Sequence, residues 1–329
     1  MGGLLVPGVA WAGPQERCTL DDPRLAETSG LVVAADGLGG AYEVVNDSGN
    51  PSTVYRLDDT CAVDGEIEVP RQGRDVEDLA RGPDGTLWLA DVGDNDRQRS
   101  TVAILRVSPA GEETVTRFTY PDGAHDAESL LVPGDGRPVI VTKDLGGRSG
   151  VYVADAPAGD GDRGTLRRAG EVVVPGEAIT SLGAGSYTGG AISADGRVVA
   201  LRTYADAWLY LAPGGSATAD DVVAALAGMP VRVPLPGEVQ GEALAFAPDG
   251  TLLATGETPE GGPPAPLHAV PGATGLVGSS ATSPAPAPVA DPDRAGLPEP
   301  LATIGVVLAV AAGVFALVAV VAVARRRRG

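Results

Sequence analysis

The sequence predicts an all-β chain that folds as a β-propeller of five four-stranded blades, and three observations indicate this class. Asp-Gly pairs between two short apolar runs recur five times, at intervals of about 50 residues. Further strand-like segments follow each of these hairpins. The last repeat lacks its fourth strand, while an unmatched strand-like segment lies near the N-terminus, around Arg17 to Leu20. Six blades is the alternative, because the interval between the third and fourth pairs is longer than the others.

Each repeat begins with a tight hairpin, because Gly accepts the positive φ that the turn requires. The five turns are Asp36-Gly37, Asp84-Gly85, Asp135-Gly136, Asp195-Gly196 and Asp249-Gly250. Third strands are expected at 53–57, 103–107, 150–154, 207–211 and 266–270, and fourth strands at 66–70, 117–121, 171–175 and 231–236. The pattern predicts an antiparallel meander in every blade.

The N-terminal strand is expected to complete the last blade, which would close the ring and leave no open sheet edge there. One short helix interrupts the fourth repeat, over Thr218 to Gly228. Thr218 is its predicted N-cap, with Asp221 completing a capping box and Gly228 as C-cap. The propeller domain is therefore expected over residues 13–270.

Both ends of the chain have the composition of targeting segments. Residues 1–12 resemble the remnant of a signal peptide, and residues 271–300 form a Pro/Ala/Ser-rich stalk. Residues 301–324 contain no charged side chain and are long enough for a transmembrane helix, and the basic tail 325–329 follows. The positive-inside rule then predicts a single-pass protein of the cell membrane, with an extracellular propeller and a cytoplasmic C-terminus.

Charge and cysteine content narrow the possible partners. The net charge of -19 argues against nucleic acid as a partner, because phosphate contacts need a basic surface. In an exported domain the two cysteines, Cys18 and Cys61, are most simply one disulfide. They do not suit a zinc site, which needs four ligands.

Four segments carry a resemblance to a known group of proteins. They are DVEDLARGPDGTLWLADVGDN (75–95), AESLLV (127–132), GGAISADGRVVALRTYADAWLY (189–210) and QGEALAFAPDG (240–250). Together they resemble exported actinobacterial β-propellers related to the esterase-like phytase and WD-type repeat groups. The resemblance implies a propeller fold, and the likeness to esterase-like phytases implies that one or both of Lys143 and Arg202 hold a phosphate or carboxylate group beside Ca²⁺.

Polar residues just before the first strand of each repeat form the main candidate site. These residues are Ser29, Glu77, Glu128, Thr188 and Glu242. First strands line the central channel of a propeller, so the five positions would form a ring near one mouth. Carboxylates brought together raise one another's pKa or capture a cation, which makes Glu77, Glu128 and Glu242 candidate catalytic residues. The alternative is that these side chains only hydrogen-bond neighbouring blades and line a wet channel.

Polar clusters that follow the second strands are expected at the same mouth, and their oxygens suit Ca²⁺. The metal ligands expected from the sequence are Glu77, Asp78, Asp91, Asp94 and Asn95. Asp, Asn and Gly are also ordinary turn residues, so loop structure explains the clusters equally well.

Three further residues are candidates for a catalytic role. Lys143 and Arg202 are the cations expected to face the mouth, where they would hold an anionic group or neutralise the glutamates. His125 would act as a general base beside Glu128, or remain a solvated loop histidine.

Three classes of function fit these features. The first is a membrane-anchored extracytoplasmic binding or interaction module, with an unknown small-molecule or protein ligand at the propeller mouth. The alternative is a Ca²⁺-dependent hydrolase of phosphoesters, esters or lactones at that mouth. The third is a purely structural envelope protein.

Overall fold

The computed structural model describes residues 13–35, 41–47, 49–159, 161, 163–176, 185–238 and 240–278. The predicted signal-peptide remnant, most of the stalk, the predicted transmembrane helix and the basic tail lie outside these residues, as do Asp36 and Gly37. No helix within the described residues is long and apolar enough to cross a membrane.

The regular secondary structure of the described residues is almost entirely β-strand. In chain order the strands are β1 (Gln15–Thr19), β2 (Thr28–Val33), β3 (Tyr42–Asn46), β4 (Thr53–Leu57), β5 (Val63–Glu68), β6 (Val76–Arg81), β7 (Leu87–Asp91), β8 (Val102–Val107), β9 (Glu113–Thr119), β10 (Ala127–Leu131), β11 (Val139–Thr142), β12 (Arg148–Ala154), β13 (Arg163–Val173), β14 (Tyr187–Ile192), β15 (Val198–Thr203), β16 (Asp206–Leu211), β17 (Val231–Pro234), β18 (Gln240–Phe246), β19 (Leu252–Glu257) and β20 (Pro266–Val270). Short 3₁₀ turns span Pro23–Leu25 and Ala273–Leu276. The one α-helix in this part of the chain is α1, Ala219–Leu226.

The strands form antiparallel units of four. Three sheets have four strands each, in the orders β2-β3-β4-β5, β14-β15-β16-β17 and β1-β20-β19-β18. A further sheet has eight strands, since the units β6 to β9 and β10 to β13 are joined where β9 and β13 run parallel. This is the all-β, propeller-like architecture that the repeats predict.

The N-terminal strand completes the last sheet. β1 runs antiparallel to β20, with Gln15 opposite Ala269 and Thr19 opposite Pro266. The Cys18–Cys61 disulfide, which the sequence predicts, is present and joins β1 to the turn between β4 and β5. Backbone pairing therefore holds the two ends of the described domain together, and the disulfide links the last sheet to the first unit.

The innermost strands of the units contact one another in cyclic order. Contacts join β2 to β6, β6 to β10, β10 to β14, β14 to β18, and β18 back to β2. Apolar side chains fill the space between consecutive units, as Val44, Leu57 and Leu267 do between the last unit and the first. Each fully buried Val or Leu contributes about 1.5–3 kcal/mol, so these layers hold the ring together.

Helix α1 has the capping box that its sequence predicts. The Thr218 hydroxyl accepts a hydrogen bond from the Asp221 amide, and the Asp221 carboxylate accepts one from the Thr218 amide. The C-cap is Ala227 rather than Gly228, because the last turn closes one residue earlier. Val222 and Ala225 pack the helix against the apolar layer beside β15 and β16.

Candidate functional site

The five polar ring positions are β-bulges. Each innermost strand skips one residue in its pairing near its start, as at Glu77, where Val76 faces Asp91 and Asp78 faces Ala90. The skipped residues are Ser29, Glu77, Glu128, Thr188 and Glu242. A bulge re-aims one side chain out of the regular alternation, which is how these strands present polar groups at one end of the ring. The innermost strands also begin earlier than the apolar pattern predicts, since the ring residues lie inside them.

The two hydroxyl members of the ring join neighbouring strands. Ser29 donates to the backbone oxygen of Glu77 at 2.6 Å, and Thr188 donates to that of Gly241 at 2.8 Å. Each bond crosses from one unit to the next. These two residues therefore have the structural role that the sequence left open as an alternative.

Three carboxylates meet beside the start of β6. One oxygen each from Asp47, Asp75 and Glu77 lies within 4.8 Å of the others, a grouping that is able to hold a metal ion. Glu77 is 3% exposed, and Asp75 has a buried oxygen, Oδ1, without a hydrogen-bond partner. An orphaned buried oxygen among carboxylates is a vacant ligand atom for a hard cation such as Ca²⁺.

Asp91 positions this carboxylate group through the backbone of the loop before β6. Its Oδ1 accepts the amides of Arg74 and Asp75, both at 3.0 Å, and pairs with Arg99 at 2.9 Å. The sequence predicts Asp91 as a metal ligand. In the structure its Oδ1 instead holds the loop that carries Asp75.

Gly93 forms a wall of the carboxylate group, and a side chain at this position would displace the carboxylates of Glu77 and Asp75. A Cβ at this position would lie 2.2 Å from Glu77 Oε1 and 2.5 Å from the Asp75 carboxyl carbon. The backbone of the loop after β7 therefore approaches these two carboxylates directly.

Lys143 lies among the other two ring glutamates. Its ammonium forms an ion pair with Glu128 Oε1 and lies 5.4 Å from the centre of the Tyr204 ring. Glu128 and Glu242 are each 4% exposed, and each has an Oε2 atom without a partner in the described structure. The mouth thus holds two buried carboxylate oxygens able to accept hydrogen bonds or bind a cation.

The electrostatics of the mouth favour added positive charge. Burial, and then the Glu128 carboxylate, raise the pKa of Glu77 well above its ordinary value. Burial and the Glu242 carboxylate do the same for the pKa of Glu128. Burial raises the pKa of Glu242 to about 8, and that of Glu257 to about 7. Burial lowers the pKa of Lys143, but the charges of Glu128 and Glu242 outweigh it and raise the pKa above its usual range.

We expect the stability of the cation-free protein to fall as pH rises from about 5 to 8.5. Glu242 keeps a proton in the folded state up to about pH 8, whereas the unfolded chain releases it near 4.5. The folded state therefore binds more protons in this window, and raising the pH favours unfolding. Urea unfolding in the presence of a chelator measures the slope.

The matched variant for this pH dependence is Glu242→Gln, which removes one of the titrating groups. We expect its stability to decline less steeply between pH 6 and 8 than that of the wild type. Equal slopes would show that Glu242 ionises in the folded protein as it does in the unfolded chain.

Asp78 is fully buried and ties three innermost strands together. Its Oδ1 accepts the Leu79 amide at 2.8 Å, while Oδ2 accepts the amides of Leu130 and Gly190 at 2.8 and 3.2 Å. These bonds join β6 to β10 and β14. Asp78 is predicted from sequence as a metal ligand, but in the structure both of its oxygens are occupied by backbone amides.

Replacing Asp78 by Ala should lower the free energy of unfolding by at least about 3 kcal/mol, because three buried amides lose their acceptor. Asp78→Asn keeps one acceptor oxygen, which is able to face Leu130 and Gly190, and should cost less. Denaturant unfolding of both variants checks this order. Equal stabilities of the two variants would contradict a role based on hydrogen bonds.

Asp94 and Asn95, the other two predicted metal ligands, lie in the loop after β7. The Asp94 carboxylate accepts the amides of Gln98 and Arg99 at 2.9 and 2.7 Å, and its own amide donates to Asp126. Asn95 is exposed. Neither residue belongs to the group of Asp47, Asp75 and Glu77. The hydrogen bonds of the Asp94 carboxylate stabilise its own loop instead.

Arg202 is completely buried behind Glu242. Its guanidinium forms an ion pair with Glu238, which also binds His268 Nδ1 at 2.7 Å. A second nitrogen donates to the backbone oxygen of Ala243 at 3.3 Å. Arg202 therefore holds β18, the strand that carries Glu242, rather than offering its charge to a ligand.

His125 lies in a separate cluster. Its Nε2 is 3.0 Å from Asp122 Oδ1 and 2.9 Å from the Tyr152 hydroxyl, and its ring packs edge-on against Tyr120. The structure gives no contact between His125 and Glu128 among the described residues. The pairing of these two residues, expected from the sequence, is therefore not formed.

Sequence reasoning missed Asp75 as a member of the mouth, while Asp47, Tyr204 and Glu257 appeared only within the polar clusters that follow the second strands. Asp75 stands two residues before Glu77 at the entry of an innermost strand. That position in the repeat is the one signal that would have identified it.

No protein family matches this chain, and no curated protein sequence matches it. Solved structures resemble it only distantly. The PQQ-bound aldose sugar dehydrogenase of Streptomyces coelicolor is 13% identical, with coverage of 80% of this chain and 99% of the other and a TM-score of 0.45. A luciferin-regenerating enzyme is 14% identical, covering 74% and 78%, with a TM-score of 0.43. A Xanthomonas campestris gluconolactonase is 16% identical, covering 75% and 73%, with a TM-score of 0.41. Likenesses at this level carry no conclusion about function.

Proposed function

We propose that the mouth binds one divalent cation, with Ca²⁺ as the cofactor, and acts as a hydrolase of phosphoesters, esters or lactones. The observation that carries this proposal is the grouping of Asp47, Asp75 and Glu77 within 4.8 Å. The unpartnered buried oxygens of Asp75, Glu128 and Glu242 support it, because they leave ligand and acceptor atoms unused.

Different residues of the mouth would bind the cation, bind the substrate and accept the proton in hydrolysis. When bound, the cation supplies a Lewis acid that polarises a phosphoryl or carbonyl oxygen. Asp47, Asp75 and Glu77 would hold it. The Lys143 ammonium binds an anionic oxygen of the substrate. Glu242, in the ionised form that it takes on as the pH approaches its pKa of about 8, accepts a proton from the attacking water and returns it to the leaving oxygen as the ester bond breaks.

Calorimetric titration of the full chain with CaCl₂ tests the proposal. We expect one bound cation, and chelator-sensitive hydrolysis in a panel of a phosphomonoester, an aryl ester and a lactone. Binding without hydrolysis of any of the three would leave the mouth as the site of a binding module, which is the second candidate function. Absence of both would overturn the hydrolase proposal.

We further propose that the ring has five blades and that the protein is anchored at the cell membrane. Five four-stranded units and cyclic contacts between their innermost strands support the blade number. The uncharged stretch at 301–324, with the basic tail 325–329 behind it, supports the anchor. Protease added to intact cells should then release the propeller by cutting the stalk at 271–300, and a protected propeller would refute this orientation.

A further inference from the structure

Lys143 is the only lysine of a sequence that otherwise uses arginine for positive charge. It is also the basic residue that enters the carboxylate mouth, and its side chain is 16% exposed. An ammonium group is a compact point charge, whereas a guanidinium is a broad planar fork. A buried position beside carboxyl groups therefore favours lysine, for the same reason that it favours a small metal cation.

The surroundings of the Lys143 ammonium resemble those of a bound cation. One Glu128 oxygen binds it, and the charge of Glu242 also acts on it. The remaining oxygens, Glu128 Oε2 and Glu242 Oε2, are buried and have no partner. Two buried carboxyl groups beside one positive charge supply the oxygen ligands that a hard cation takes, with the ammonium in its place.

We propose that the Lys143 ammonium occupies a second cation position in the mouth, and that it limits the mouth to a single divalent cation. The inference rests on the proposed function for the first position, at Asp47, Asp75 and Glu77. In two-metal hydrolases two ions clamp the oxygens of the substrate. Here a tethered ammonium takes the second role, so a substrate with an anionic oxygen, such as a phosphoester, is favoured over a neutral ester.

The test removes the ammonium and counts cations. CaCl₂ titration by calorimetry, with native mass spectrometry as a second count, is applied to the full chain and to the Lys143→Met and Lys143→Gln variants. Gln keeps an N–H donor for Glu128 while removing the charge. We expect both variants to bind one more Ca²⁺ than the wild type, a change from one ion to two.

Two control variants separate this effect from net charge. Lys143→Arg keeps the positive charge and should leave the count at one. Arg97→Met removes a charge from an exposed side chain that lies 3.9 Å from Asp144, outside the ring of glutamates, and should also leave the count at one. An extra ion in Arg97→Met would overturn the proposal, because general charge would then explain the gain.

The difference in Ca²⁺ count between variant and wild type tests the second cation position, whereas the count in the wild type alone tests the proposed function. An unchanged count in both Lys143 variants overturns the inference even if the wild type binds one ion. A wild type without Ca²⁺ refutes the proposed function, yet an ion gained by the variants would still support the ammonium position. If both variants unfold without Ca²⁺, refolding with the extra ion supports the proposal and failure to refold overturns it.

Discussion

Replacing Cys18 and Cys61 together by serine is expected to lower the free energy of unfolding by about 4 kcal/mol. The disulfide closes a loop of 43 residues, and the chain-entropy estimate for that length gives this value. The location adds to the effect, because Cys18 lies in β1, which supplies the outer strand of the last sheet. Without the link, β1 is held to β20 by backbone pairing and apolar contacts alone.

Urea unfolding of the double variant measures this loss, and reduced wild-type protein is the matched control. Reduction should bring the wild type to the stability of the variant, because both then lack the same covalent closure. Deletion of residues 13–22 should destabilise further, since it also exposes the edge of β20. A deletion variant as stable as the double serine variant would show that β1 does not close the ring.

The order of strands was predictable because each unit is local in sequence. The Asp-Gly turns place two apolar runs next to each other within a few residues, and the described turns at Gly85, Gly136, Gly196 and Gly250 all have positive φ. The pairing of β1 with β20 was predictable for another reason. One strand was missing at one end of the repeat, and one strand was unmatched at the other.

The repeat located the ring residues, but it did not reveal the β-bulges that place their side chains at the mouth. Alternation of apolar residues predicts a strand start after the polar position, because a bulge breaks the period of two. Glu77 and Glu242 are therefore strand residues rather than loop residues. The repeat located them, and only the pairing register showed why their side chains leave the sheet.

The remaining contacts of the site depend on pairs that are distant in sequence. Asp78 accepts the amide of Gly190, 112 residues away, and Arg202 pairs with Glu238, 36 residues away. Such contacts follow from how neighbouring units dock, which no local pattern records. An acidic residue near the start of a strand could therefore bind a metal, accept hydrogen bonds within a loop or link neighbouring strands. Only the docking of the units decides among these roles.

Ca²⁺ in excess should raise the melting temperature of the wild-type protein by roughly 5–10 °C. A ligand that binds only the folded state stabilises it by about 2.7 kcal/mol at 100 times its dissociation constant. For a domain of this size each kcal/mol shifts the melting temperature by about 2–4 °C. The gain arises because the cation relieves repulsion among Asp47, Asp75 and Glu77, which are partly or fully buried.

Glu77→Gln and Asp75→Asn should each abolish that gain, and should reduce chelator-sensitive hydrolysis by at least about 100-fold if a developing charge loses its stabilisation. Glu128→Gln should reduce the gain as well, because it removes one of the negative charges that attract the cation. Asp96→Asn is the matched control, since it makes the same chemical change at an exposed residue of the neighbouring loop. It should retain the full gain. If millimolar Ca²⁺ leaves the wild-type melting curve unmoved, or if Asp96→Asn loses the gain as Glu77→Gln does, the carboxylate group is not a cation site and the binding-module function is favoured.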